Sequence, residues 1–492
     1  MLPLARTTSA PRVPDLEQMF LTLVLLVCGT VTLPQALELG PVSGLGGWTI
    51  LISSGAWVLW LMRPYFPREL LWTLLPLMLF AIYASFSLLW GGLTIEGLQN
   101  LAVSGGFVGF VLLTARECER SPGLAQGLHR AMDTASVLAA LGYTVTVLLQ
   151  GQGGEIVVGG RQVFMARPFA LFATVAVARQ IARWMSGDGR GLWLALWLVA
   201  LVFLSHSRLA MAACLALFPL AYLCRGDRGG LTKAVTMTGV GGAVLVGAVL
   251  LSDDLHDRFF GGDASLKIGG ISFNASGRTE AWRSLLDDLH GGARLFGKGA
   301  GSSANFVSQR FRNLTHPHND FLRFYYDYGA FGLFWWTAFL VAAAFVMLTA
   351  VRRAVRFGNR AELQYHLAPL LALAGVCASL FTDNSISYIF VMAPLGMLIG
   401  CSLSRLDVNP PPAPVQAVTA AQMWAAAQLA LAYRRPLSLP PPPQAADAAE
   451  EPCEVPQATV DSRPQATVDG RARAVPEAPP PSRVEARAGR VE

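Results

Sequence analysis

Two histidines stand close together in the run His316-Pro317-His318-Asn319-Asp320-Phe321-Leu322. Histidine exchanges protons nearest neutral pH, and a positioned imidazole typically contributes ~10²- to 10⁴-fold to a rate. A single histidine at a helix start is more often a plain cap. Two of them beside an Asn-Asp pair favour proton transfer, with either ring as the base. Arg208 lies in Ser205-His206-Ser207-Arg208, between two apolar runs with almost no loop. An ionisable group at the edge of hydrocarbon implies an anionic partner. The guanidinium fork matches phosphate oxygens, and a diphosphate leaving group in a partly dry site is stabilised most as its charge develops. The plainer reading is an arginine reaching for lipid headgroups. Arg161, Arg167 and Arg278 are candidates for the same clamp, although polar loops hold arginines at little cost. Asp383, beside Asn384 and between two late apolar runs, is an acid that would orient a histidine, meet an acceptor or cap a helix.

These residues need a frame, and the composition says which. Of 492 residues, 53% are hydrophobic and 14% charged, where a soluble domain carries about 25% charged residues. A span needs about 20 mostly apolar residues, and such runs fall near 17–36, 45–62, 70–90, 94–114, 131–150, 168–186, 191–206, 208–224, 233–251, 330–351, 366–382 and 386–404. The expected fold is therefore an all-α integral membrane protein with about twelve transmembrane helices, the first one retained. The sixth run is interrupted by Arg179 and Arg183, both expected to snorkel toward the cytoplasmic surface. Lys and Arg collect in alternate loops, which places both termini in the cytoplasm. The net charge of +6 is thus a topology signal, and no nucleic acid is expected. Residues 252–329, between helices 9 and 10, become one large periplasmic loop within a membrane domain of 1–406. Residues 407–492, rich in Pro and Ala, read as a disordered cytoplasmic tail.

Other patterns are set aside. Gly297-Lys298-Gly299-Ala300-Gly301-Ser302-Ser303 lacks phosphate-loop spacing and reads as a tight turn. The pairs Asp253-Asp254 and Asp287-Asp288 have no companions at ligand spacing, and the seven cysteines form no pairing pattern, so no metal, cofactor or disulfide framework is expected.

Ser207-Arg208, Gly277-Arg278 with Trp282, Leu295-Phe296-Gly297 with Gly299 and Gly301, and His318-Asn319 with Leu322 and Gly329, set in a twelve-span layout, resemble the O-antigen ligase and O-antigen polymerase superfamily of bacterial envelope glycosyltransferases. The resemblance stops at about residue 406. It departs at Arg161–Pro168, where such proteins often carry a Gly- and Asn-Pro-containing stretch. It implies metal-independent, inverting transfer of a glycan from a polyprenyl diphosphate carrier to an acceptor hydroxyl, at the periplasmic face of the inner membrane. His318 would be the base and Arg208 and Arg278 would hold the diphosphate. Arg161, Arg167, His316, Asn319, Asp320 and Asp383 would line the substrates. Lipid A-core as acceptor makes a ligase, a carrier-linked repeat a polymerase, and a protein hydroxyl an oligosaccharyltransferase. Asp383-Asn384 followed by Tyr388 is similar to polysaccharide polymerases, and polysaccharide-assembly proteins are the expected partners. A transporter or flippase is the reading from a different class. It calls for charges at mid-membrane on broken helices, in two related halves.

Overall fold

In hydrocarbon every backbone N–H and C=O must be satisfied within its own segment, so long apolar runs fold as helices. The computed structural model describes residues 15–36, 38–39, 42–65, 71–158, 161–226, 229–260, 266–268, 271–273, 278–311, 314 and 316–406. The chain divides into two units, Met1–Gln416 and Ala417–Glu492. The tail expected at 407–492 lies outside the described residues. Among the described residues, twelve helices have fourteen residues or more: α1 (Leu16–Gly29), α2 (Gly44–Met62), α3 (Leu71–Phe86), α4 (Ile95–Arg120), α5 (Leu124–Gln150), α6 (Ala166–Met185), α7 (Arg190–Leu204), α8 (Arg208–Arg225), α9 (Gly230–Leu251), α10 (Asp320–Arg356), α11 (Arg360–Leu380) and α12 (Ile389–Leu403). Each overlaps one of the apolar runs. Seven helices among the described residues are long and apolar enough to cross a membrane: Leu71–Gly91, α4, α5, α8, α9, α10 and α11. Four more are apolar but shorter, and α6 carries three arginines along its length.

The helices differ in depth. In α11, 78% of the apolar window is buried, against 11% in α9, so α11 is central and α9 peripheral. The sixth run corrects an expectation. Arg179 does not snorkel: it is 3% exposed and bonds Asp133 of α5 at 3.0 Å and the Gln364 side chain of α11 at 3.0 Å. α6 is an inner helix, so an arginine on it meets neighbouring helices and needs partners there. Arg183 pairs with Asp188 beside it.

α10 is two helical pieces joined at Gly329, whose φ of 68° breaks the helix. The break falls where the tenth apolar run begins. The nine residues before it belong to the long connection between α9 and the membrane part of α10 and are held by Phe80, Phe324, Tyr328 and Trp336, whose contacting rings lie 5.1 to 5.5 Å apart. Two loop helices, Arg278–Asp288 and Ser302–Arg310, pack beside this piece through Leu285, Leu289, Val307 and Tyr326. The described strands form three two-stranded antiparallel hairpins in connections, one of them pairing Ile156–Val158 with Arg161–Val163 just before α6.

Candidate functional site

His318 sits in the left-handed region, φ 53°, immediately before α10. A non-glycine residue held there costs on the order of 1–3 kcal/mol and persists only where its surroundings enforce it. The Trp282 indole N–H donates to the Pro317 carbonyl at 2.6 Å. Asn319 caps α10, its Oδ1 accepting from the Leu322 amide at 2.9 Å. Asp320, fully buried, accepts from the Ile386 amide at 3.0 Å and lies 3.3 Å from Arg323. Asn319 and Asp320 therefore hold the turn that presents His318.

Arg167 grips the Asp383 carboxylate with both arms, Nε to Oδ2 at 2.9 Å and Nη2 to Oδ1 at 2.6 Å. The same Nη2 reaches the His318 Nδ1 at 2.9 Å, and the Asn384 Nδ2 lies 3.1 Å from that Nδ1. A guanidinium can only donate, so Nδ1 is an acceptor and the neutral ring carries its hydrogen on Nε2. Burial, then the charges of Arg167 and Arg278, push the His318 pKa down to about 2. His316, half-buried, is pushed down to about 4 by burial and then Arg323. Both rings are neutral near pH 7.

Arg278 donates from Nη1 to the Thr382 carbonyl at 2.7 Å, which ties the loop to the turn bearing Asp383. Its Nε is buried without a hydrogen-bond partner among the described residues. Burial and then Arg167 lower its pKa to about 10, with Asp383 opposing and Arg208 adding. It stays protonated at neutral pH, and the shift reports crowding by like charge. The Arg208 guanidinium lies 5.8 Å from the centre of the Phe259 ring. The Arg161 side chain lies outside the described residues.

Arg167, Arg208 and Arg278 each stand in the first turn of a helix: α6, α8 and the loop helix Arg278–Asp288. A helix start carries about half a positive charge. Cations are favoured at the other end, yet three arginines stand at three such starts, with Asp383 acting on Arg167 and Arg278 and Asp320 acting on Arg167. That arrangement attracts an anion with several oxygens.

The glycine-rich turn is occupied by the chain itself. Amides of Gly301 and Ser303 donate to the Asp327 carboxylate at 3.2 and 2.7 Å. Gly299, φ 98°, packs so tightly on Gly91 that a Cβ would lie 2.2 Å from its Cα. The tight turn is also a seam, with Gly299 against Gly91 and Gly301 against Gly97. Asp288 is likewise engaged, by Lys298 and by the Tyr326 hydroxyl.

Sequence reasoning named Asp383 but not the part played by its neighbour Asn384, which meets His318 directly. It also passed over Arg323, buried beneath the turn between Asp320 and Ser387. The available signal was their position: polar residues at the ends of apolar helices. No curated protein matches the chain. Residues 193–337, which include Arg208, Arg278 and His318, match the family model for O-antigen ligase, so this stretch of a multi-helix membrane protein is similar to that family.

Proposed function

We propose that the protein transfers a glycan from a polyprenyl diphosphate carrier to an acceptor hydroxyl at the periplasmic face of the inner membrane, as a polymerase of O-antigen or exopolysaccharide. The observation that carries this reading is the set of three first-turn arginines, with Arg167 and Arg278 beside His318 and Arg208 close enough to Arg278 to act on it. As the acceptor oxygen bonds the anomeric carbon, the bond from that carbon to the diphosphate oxygen breaks. The hydroxyl proton passes to His318 and the electron pair leaves with the diphosphate. Displacement on one face inverts the anomeric centre. The arginines meet charge that grows during the step, where one such donor is typically worth ~10²- to 10³-fold in rate.

A lipid-linked donor also needs room for its tail. Below Arg208, one face of α8 carries Ala212, Leu215, Ala216 and Pro219, at offsets of four, seven, eight and eleven residues. With Met237, Thr238, Gly241, Gly242 and Leu245 of α9 they line an apolar groove of about 230 Å³. A prenyl chain lying there would hang beneath a diphosphate held by Arg208. Basic loops on one side and the large loop on the other support the periplasmic orientation.

The test is complementation of a deletion strain with His318→Ala and Arg208→Ala, reading envelope glycans by length. Single-repeat products indicate lost polymerisation, full chains left on the carrier indicate lost ligation, and normal glycan from His318→Ala overturns the assignment of the base.

A further inference from the structure

The hydrogen bonds that fix His318 hold it in the form that does not accept a proton from an incoming hydroxyl. Its lone pair is on Nδ1, covered by Arg167, and its hydrogen is on Nε2. Resting on the reading of this site as a diphosphate site, we propose that Arg167 is a latch on His318 which the donor's diphosphate releases, so that the base becomes active only once donor is bound.

Asn384 supplies the second half of the device. Its Nδ2 points at a lone pair already taken by Arg167, and its Oδ1 is buried without a hydrogen-bond partner among the described residues. A buried acceptor without a donor is costly. Turning that amide over would set Oδ1 against Nδ1, which satisfies Oδ1 only if Nδ1 carries a hydrogen. As placed, Asn384 and Arg167 both meet Nδ1 as donors, and only a turned Asn384 would favour the opposite tautomer, which the permanent charge of Arg167 opposes while it stays on Nδ1.

A diphosphate changes that balance. Arg167 now holds one carboxylate, Asp383, and one neutral ring. A diphosphate offers more charge and a bidentate seat for the same fork. As the guanidinium moves onto it, Nδ1 takes up a proton and hydrogen-bonds the turned Asn384. Nε2 releases its own proton to water, so the ring is neutral before and after. The Nε2 lone pair then faces the acceptor. The other charged or titratable groups around the ring are Arg278 from the loop helix, His316 on the same turn, Asp320 and Arg323 from α10, and Asp383. Among the charged groups of the described residues, Arg167 is the one hydrogen-bonded to Nδ1. It is a positioning residue that acts through His318.

The experiment is carbethoxylation of the full-length protein in detergent, followed by mass spectrometry of the His318 peptide, since the reagent attacks an imidazole lone pair. His318 should react about tenfold faster in Arg167→Met than in wild type, because a charge-assisted hydrogen bond no longer covers Nδ1. Arg167→Lys, too short to reach both Asp383 and the ring, should also accelerate it and serves if Arg167→Met does not fold. Farnesyl diphosphate should raise the wild-type rate and leave Arg167→Met unchanged. Equal rates in wild type and a folded variant overturn the latch, as does bound farnesyl diphosphate, seen by thermal shift, that leaves the wild-type rate unmoved. No thermal shift at all overturns the diphosphate reading, and the latch with it.

Discussion

Arg208 heads α8, where the helix start and the neighbouring Arg278 both repel it, and a bound anion would offset that repulsion. Arg208→Lys keeps the charge and loses the fork, and we expect the initial rate of glycan transfer to fall by about 10²-fold or more; full activity would identify a simple headgroup contact. His316 gives a pH signature. Its folded pKa lies near 4, below the ordinary 6.5, so its contribution to stability is present above about pH 6.5 and is lost as pH falls toward 4. Thermal unfolding in detergent should show that loss, and His316→Gln should flatten the curve over this window. At this scale the sequence disclosed residue types but not their pairings. His318, Arg208 and Arg278 stand out beside apolar runs. The grip of Arg167 on Asp383 joins residues more than two hundred positions apart, and no local pattern encodes it.

The helices were legible because twenty apolar residues have few other options in lipid, and the break in α10 coincides with the point where apolar residues take over after Gly329. The burial of Arg179 was not legible, since a run of residues does not say which helices surround it. The groove between α8 and α9 gives an element-scale prediction. Ala216→Trp fills it without touching Arg208, and should raise KM for a long-chain donor several-fold while sparing a donor with a short prenyl tail, measured with synthetic carriers of two lengths. Equal effects on both would place the tail elsewhere.

Across the whole molecule, the proposed site gathers at one end of the bundle, drawn from α6, α8, the loop helix Arg278–Asp288, the start of α10 and the turn before α12. The orientation that goes with the proposed function is testable by labelling. A cysteine at exposed Ser308 should react with an impermeant maleimide in intact spheroplasts, and one at exposed Arg360 only after lysis; the reverse pattern would invert the topology. α6 bears on this site in a further way. Arg167 at its start is fastened to Asp383, and Arg179, twelve residues or about 18 Å further along the axis, is fastened to Asp133 and Gln364. A rod pinned at both ends cannot slide lengthwise. If the proposed carrier binds here, α6 would work as a depth gauge, setting how far above the far ion pairs its headgroup must sit to be read. Changes at Asp133 or Gln364, remote from any sugar, would be felt as a change in the height at which the carrier is held.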